Sequence, residues 1–177
     1  AGHRGLRGAS RSTSTWECGT RAIVPALAEF SQLHPAMRVG HVSSSHHADL
    51  ISERFDVAIR LGTLADSRYR AALISRFAIL PVAAPAWLAQ HPLATLEELA
   101  QAEWIIHERL QTPLRWQLSG RDRKAIGFEI KKTPRLSADS ANALMAFALA
   151  GSGVALLPQW LVASSLAQGH LVHLLPE

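Results

Sequence analysis

Helical and strand-like runs of apolar residues alternate along the chain, with glycine and proline between them. The pattern is clearest at residues 151–158, where four apolar residues lie between Gly153 and Pro158. Four residues are too few for a helix, while glycine favours the position just past a helix and proline the first turn of one. We therefore predict that a helix ends at Gly151, that a short buried strand follows, and that Pro158 opens the next helix.

The rest of the chain continues this alternation. Between residues 20 and 33, Ile23, Leu27 and Phe30 fall on one face of a helix, and Pro35 ends it. A capping box that begins at Thr95 predicts another short helix. Strands are expected at residues 5–13, 37–42, 56–62, 77–84, 103–107, 125–130 and 171–175, and longer helices at residues 20–33, 48–54, 85–90, 140–150 and 158–168. This order is typical of the α/β class with mostly parallel sheets.

Composition narrows the class of protein. The 177 residues, 48% of them hydrophobic and 18% charged, can bury one substantial core or two small ones. The chain lacks an apolar run of about 18 residues, and no apolar segment follows the basic residues at its start, so we expect neither a membrane span nor a secretory signal. A single cysteine, Cys18, excludes an internal disulfide. We expect a cytoplasmic protein.

The net charge of +4 and the pI near 10.0 raise the question of nucleic-acid binding. The basic residues form only two clusters, which are Arg4, Arg7 and Arg11, and Arg121, Arg123 and Lys124. Neither cluster is interleaved with aromatic residues that could stack on bases, and the sequence contains no helix-turn-helix or zinc-finger signature. We interpret both clusters as solvated surface.

Four motifs in a fixed order identify a family. They are ERFDVAIRLG at residues 53–62, PAWL at 85–88, TLEEL at 95–99, and the segment from residue 151 followed by GHLVHLLP at 169–176. In order and spacing, from residue 6 to residue 177, they resemble the effector-binding domain of LysR-type transcriptional regulators. The region of residues 10–18 departs from the family pattern, because it is several residues longer than is usual in the family.

The resemblance implies an α/β fold like that of the type II periplasmic binding proteins, in which two Rossmann-like subdomains flank a cleft. We place subdomain I, incomplete, at residues 1–82 and subdomain II at residues 83–177, with crossover strands near residues 78–84. Members of the family carry a winged helix-turn-helix before this domain and a crossover strand and helix after it. Because neither is found here, we expect either a fragment of a longer regulator or a domain that is stabilised in another way.

The resemblance also implies partners. They are a small-molecule effector in the cleft, a second subunit in a homodimer or tetramer of the full-length protein, and DNA, reached only through the absent helix-turn-helix domain. No membrane partner and no cofactor are implied.

Candidate ligand contacts follow from the position of hydroxyl groups. In open α/β sheets, ligands lie beyond the carboxyl ends of strands, near helix N-termini whose free N–H groups suit an anion. Three strand-to-helix junctions carry hydroxyls, and the resemblance places all three around one cleft. Together with the residues after the strand at 56–62 and one strand-end histidine, the candidates are Ser14, Thr15, Cys18, Ser43, Ser44, Gly62, Thr63, His107, Ser137, Asp139 and Ser140.

Each candidate has a simpler interpretation. The hydroxyls could only cap helices, Gly62 and Thr63 could form a plain turn, and His107 could be a half-exposed histidine without a role. Cys18 could be a redox sensor if a helix N-terminus stabilised its thiolate, but a small buried residue is the simpler alternative.

A metal site is not favoured, because a solvated loop explains the three histidines better, and catalysis at Ser152 is rejected. The histidines at positions 41, 46 and 47 match no standard metal-ligand spacing. Ser152 lies between two glycines, but their spacing is wrong for the nucleophile elbow of hydrolases, and no base accompanies it.

The leading hypothesis is a sensory module that binds a small, anionic metabolite and signals to a DNA-binding domain. A stand-alone solute-binding protein of the same fold is the alternative. An enzyme is not expected.

Overall fold

The computed structural model describes residues 6–44, 54–62, 69–110, 112–120 and 122–175. The chain divides into two compact units, Ala1–Ala71 and Ala72–Glu177. The strand on which we expected the subdomain boundary lies within the second unit. The helix predicted at residues 48–54 and the candidate Thr63 fall outside the described residues, apart from position 54.

The first unit contains a three-stranded parallel sheet. Its strands are β1 (Gly8–Ser14), β2 (Met37–Ser43) and β3 (Val57–Ala58), with β1 in the centre. A helical segment connects β1 to β2 and comprises α1 (Trp16–Cys18), a π-helical turn (Gly19–Ile23) and α2 (Val24–Leu33). It begins four residues earlier than the sequence predicts. The predicted strand at residues 56–62 is confined to β3.

The second unit begins its regular structure with β4 (Ile79–Ala83), which lies between the antiparallel strands β9 (Ala155–Pro158) and β10 (Val172–His173). Two short helices follow β4, namely α3 (Pro85–Gln90) and α4 (Leu96–Gln101). Proline is at the start of α3, and Thr95 caps α4 in the predicted capping box.

Four further strands and two helices complete the second unit. Strand β5 (Ile105–His107) is parallel to β8 (Leu136–Ala138), and β6 (Arg115–Ser119) forms an antiparallel hairpin with β7 (Ala125–Glu129). The helices are α5 (Ala141–Leu149) and α6 (Gln159–Ala167).

The expectation of mostly parallel sheets is correct for the first unit and wrong for much of the second. The connection between β6 and β7 is only residues 120–124, which is long enough for antiparallel neighbours but too short for a parallel crossover. The sheet around β4 is antiparallel as well. Strands β6 and β8 are not among those expected from the sequence.

The segment at residues 151–158 follows the predicted order with one difference. Helix α5 ends at Leu149, and Gly151 adopts the left-handed backbone that glycine permits, with φ of +79°. The backbone N–H of Val154 then donates to the carbonyl oxygen of Glu103 at 2.8 Å. Pro158 is the last residue of β9 and the N-cap residue of α6, so it lies just before the first turn of the helix and not within it.

Two groups of buried apolar side chains stabilise the second unit. One packs α5 and α6 against β4 and β9, around Val82, Leu144 and Leu157. The other packs α3 and α4 against the hairpin, around Trp87 and Phe128. At about 25 cal/mol per Å² of buried apolar surface, such side chains supply most of the stability of a domain.

Candidate functional site

The predicted junctions of the first unit lie at one edge of its sheet. Ser14 ends β1, Ser43 ends β2, and the two are opposite each other in the parallel ladder. The backbone N–H of Ser44 donates to the carbonyl oxygen of Ser14 at 2.8 Å. Thr15 follows directly and leads into α1, which ends at Cys18. The structure thus brings these hydroxyls together where a helical segment begins.

A histidine on β2 links two serines of β1 at this edge. The two ring nitrogens of His41 lie near different hydroxyls, with Nδ1 2.9 Å from Ser12 Oγ and Nε2 3.1 Å from Ser14 Oγ. Both serines are buried. Ser14 Oγ in turn donates to the carbonyl oxygen of Thr15 at 3.1 Å. The central strand therefore carries a chain of polar contacts at positions where a sheet interior is usually apolar.

Thr15 has an unmet hydrogen-bonding group. Its hydroxyl oxygen is buried and has no hydrogen-bond partner within the described part of the chain. A buried polar group without a partner costs about 1–3 kcal/mol. The Thr15 hydroxyl is therefore the group at this junction to which a bound molecule could supply a hydrogen-bond partner.

Two other candidates near the first sheet differ in setting. Gly62 is exposed, has φ of +87°, and has no heavy atom within 4 Å of the position a Cβ would take. Gly62 lies four residues beyond the end of β3, and its positive φ is one that glycine adopts readily. Thr63 is not described.

The junction in the second unit is built at the ends of β5 and β8. His107 is paired with Ala138 in the parallel ladder, and Ser137 Oγ donates to Glu108 Oε2 at 3.3 Å. Ser140 caps α5 by accepting the backbone N–H of Ala143 at 3.2 Å, so its capping role is confirmed. Asp139 is exposed beside it.

The His107 ring is also occupied. Its Nδ1 accepts the backbone N–H of Arg109 at 3.2 Å. Glu108 is a further polar residue at this edge that sequence reasoning missed, because it lies one residue past the predicted strand. The structure brings His107, Ser137, Asp139 and Ser140 to the same edge of this unit.

Cys18 does not have the properties of a redox sensor. Burial raises the pKa of its thiol, and the nearby carboxylate of Glu17 raises it further. A raised pKa keeps the thiol protonated and unreactive at neutral pH. The simpler interpretation, a half-buried small residue, is therefore preferred.

An open cavity of about 490 Å³ lies elsewhere, between α4 and the β6–β7 hairpin. Ala100, Trp116, Gly127 and Phe128 are among its lining residues, and Arg115 and Glu129 form an ion pair of 3.6 Å beside it. None of the predicted ligand contacts lines this cavity.

Within the described residues, no cluster of side chains is arranged to hold a metal ion, and no helix combines the length and the apolar character that a membrane span requires.

Comparison with known proteins shows the family and the fold of the chain. The family model of the LysR substrate binding domain matches residues 8–177. The chain belongs to the LysR family. Its α/β fold is that of the LysR regulatory domains. The regulatory domain of CrgA from Neisseria meningitidis has a TM-score of 0.77 at 29% identity, with 96% of this chain and 82% of that one covered.

Further relatives of this LysR domain are named as transcriptional regulators. PtxR from Pseudomonas aeruginosa is 35% identical over 155 residues, which are 87% of this chain and 49% of PtxR. CrgA from N. meningitidis serogroup C is 31% identical over 178 residues, which are 99% of this chain and 58% of CrgA. The full-length virulence activator AphB from Vibrio cholerae has a TM-score of 0.77 at 26% identity, with 96% of this chain and 57% of AphB covered. The LysR domain described here thus spans about half the length of its curated relatives.

Proposed function

We propose that this LysR domain senses a small anionic effector and controls transcription through a helix-turn-helix domain outside the chain. Family membership supports the regulatory role, since relatives such as PtxR carry names of HTH-type transcriptional regulators. A cytoplasmic location, a homodimer or tetramer of the complete regulator, and DNA contact only through that other domain belong to the same proposal. We propose binding and signalling, without catalysis.

The buried, unpaired hydroxyl of Thr15 is the observation on which the ligand site rests. It lies at the carboxyl end of β1, where a helical segment begins with Ser14 and Ser43 beside it. The first N–H groups of a helical segment have no partner within it and attract a carboxylate or a phosphate. In the first unit, we propose as effector contacts Ser14, Thr15, Cys18, Ser43, Ser44, Gly62 and Thr63. In the second unit, we propose as further effector contacts His107, Ser137, Asp139 and Ser140.

Signalling requires that the effector prefers one state of the domain. A ligand that binds two arrangements of a protein equally well shifts nothing, however tightly it binds. We propose that the effector binds one of two conformations of the domain more tightly than the other. The dimer would then present its DNA-binding domains differently to an operator.

A ligand panel with a matched pair of variants tests the proposal. The purified chain is melted in the presence of small carboxylates (acetate, succinate and benzoate) and of phosphate, with sodium chloride at equal ionic strength as the reference. An acid present at about 100 times its Kd stabilises the folded state by about 2.7 kcal/mol. We expect at least one anion to raise the melting temperature of the wild-type chain in a saturable way.

Thr15→Val removes the hydroxyl and keeps the shape of the side chain. Without ligand, we expect this variant to be at least as stable as the wild type, because an unmet buried hydroxyl is replaced by a methyl group. With ligand, the gain in melting temperature should fall by at least half. Thr133→Val, at an exposed position, is the control and should respond like the wild type. An equal ligand response in Thr15→Val, or no response to any anion in the wild type, contradicts the proposed site.

A further inference from the structure

His41 is the centre of a hydrogen-bond chain that ends at the backbone of Thr15. The contacts run from Ser12 Oγ to His41 Nδ1 at 2.9 Å, from His41 Nε2 to Ser14 Oγ at 3.1 Å, and from Ser14 Oγ to the carbonyl oxygen of Thr15 at 3.1 Å. That carbonyl also accepts the backbone N–H of Gly19 at 2.8 Å. The Thr15 peptide is thus held from two sides, once through the histidine and once through the helical segment.

The number of hydrogens that each group carries decides which atom donates in each contact. A hydroxyl has one hydrogen, and Ser14 uses its hydrogen to reach the Thr15 carbonyl, so His41 Nε2–H must donate to Ser14. In a neutral ring Nδ1 then accepts from Ser12. In the opposite tautomer, Nδ1–H would donate to Ser12, and the Ser12 hydroxyl would have to donate to the carbonyl oxygen of Gly40 at 3.5 Å, the limit of a hydrogen bond. Nε2 would then accept the hydrogen of Ser14, so Ser14 would lose its hydrogen bond to the Thr15 carbonyl.

Gly19 closes the helical segment over this chain of contacts. A Cβ at Gly19 would lie about 2.5 Å from Ser14 Oγ, 3.0 Å from Ser43 Oγ and 3.1 Å from His41 Nε2. The segment approaches so closely only because residue 19 has no side chain. Gly19 and Ser14 are both buried, and hydrogen bonds are stronger where water is excluded.

We propose that His41 is a positioning residue for the effector site, acting through Ser14 to fix the orientation of Thr15. The inference rests on the proposed function, in which the Thr15 hydroxyl contacts the effector. A side chain is held in a productive direction only if its own backbone is fixed, and the hydrogen bond from Ser14 to the Thr15 carbonyl provides that restraint. His41 selects the direction of the Ser14 hydroxyl, and without it Ser14 can turn away from Thr15.

The tautomer of His41 is the first test and needs no ligand. Long-range ¹H–¹⁵N spectra of the wild-type chain at neutral pH distinguish a protonated Nε2 from a protonated Nδ1. We expect the Nε2–H form for His41, and we expect Ser14→Ala to reduce its share because the acceptor for that hydrogen is lost. A predominant Nδ1–H form in the wild type overturns the inference, whether or not any variant folds.

Two amide variants separate the nitrogens of the ring. His41→Gln places an amide group near the position of Nε2 and can still donate to Ser14, whereas His41→Asn places it near Nδ1 and reaches only Ser12. The readout is hydrogen exchange of the Gly19 amide, which is bonded to the Thr15 carbonyl. Loss of one hydrogen bond corresponds to roughly a fivefold faster exchange.

We expect this acceleration in His41→Asn, and exchange close to the wild-type rate in His41→Gln. The control is His170→Gln, an exposed histidine in the second unit. Equal exchange in the two His41 variants overturns the positioning role.

The ligand panel separates this inference from the proposed function. An anion that stabilises the wild type should stabilise His41→Gln to the same extent and His41→Asn less, and equal stabilisation of both overturns the positioning role. If no anion stabilises the wild type, the proposed function fails and the effector role of His41 fails with it. The tautomer and exchange measurements still decide whether the hydrogen-bond chain exists.

Discussion

The carbonyl oxygen of Glu103 occupies the space in which a side chain at Gly153 would begin. A Cβ there would contact that oxygen, and the backbone of Gly153 has φ of +142°, which favours glycine. The same carbonyl oxygen accepts the backbone N–H of Val154, the residue just before β9. Val154 also forms a parallel β-bridge with Trp104, so the chain before β9 lies directly against residues 103 and 104.

Gly153→Ala should therefore destabilise the second unit strongly. We expect a loss of roughly 2–4 kcal/mol in the free energy of unfolding, from backbone strain together with the clash against Glu103. Gly151→Ala is the matched control, because Gly151 also has positive φ but no heavy atom near its Cβ position. It should cost only about 1–2 kcal/mol. Urea denaturation of both variants measures the difference, and equal losses would show that the approach of Glu103 is unimportant.

Cys18 should react slowly with iodoacetamide at neutral pH. Burial and the charge of Glu17 both raise the pKa of its thiol, so little thiolate is present. The chain has one cysteine, and total labelling therefore reports this residue alone. Glu17→Gln should lower the pKa and speed the reaction, and urea should restore the rate of an ordinary cysteine. A folded wild-type chain that reacts as fast as the unfolded one would contradict this account.

His173 should make the folded state less stable in mild acid. Burial lowers the pKa of its ring below the ordinary value of 6.5, so the unfolded chain takes up a proton at a higher pH than the folded one. Its contribution to stability is complete above about pH 6.5 and is lost as the pH falls through that value towards the lower folded pKa. His173→Gln removes this titration. Thermal melts at a series of pH values should show a shallower acid loss for the variant, and parallel curves would contradict the prediction.

Much of the fold follows from the sequence because short-range signals fix it. The capping box at Thr95, the proline that opens α3, and the glycine at position 151 all occupy the expected places, since each satisfies a local backbone requirement. Strand β6 was not predicted because the alternation of exposed and half-buried side chains along it depends on its pairing with β7, in which Trp116 lies opposite Phe128. Long-range pairing leaves little trace in a single segment.

The candidate site shows the same limit. The strand ends near Ser14 and Ser43 could be located from breakers and hydroxyls, and the structure brings these two residues side by side. Ser137 was a candidate only because of its hydroxyl, since β8, on which it lies, was not predicted. The role of all three as ligand contacts stays a prediction. His41 entered the sequence analysis only as a rejected metal ligand, because its partners Ser12 and Ser14 lie on another strand. Serine at every second position of β1 was the one available signal, since those side chains share a face.

The two groups of buried apolar side chains both lie in the second unit, and Phe55 is the one buried apolar side chain among the described residues of the first. Local opening costs least where little apolar surface is buried. Proteases should therefore cut the first unit while the second is still folded. For this LysR domain, resistance to degradation in the cell would then depend on how often the β1–β2 sheet opens, and any ligand that binds the folded first unit would prolong the lifetime of the protein.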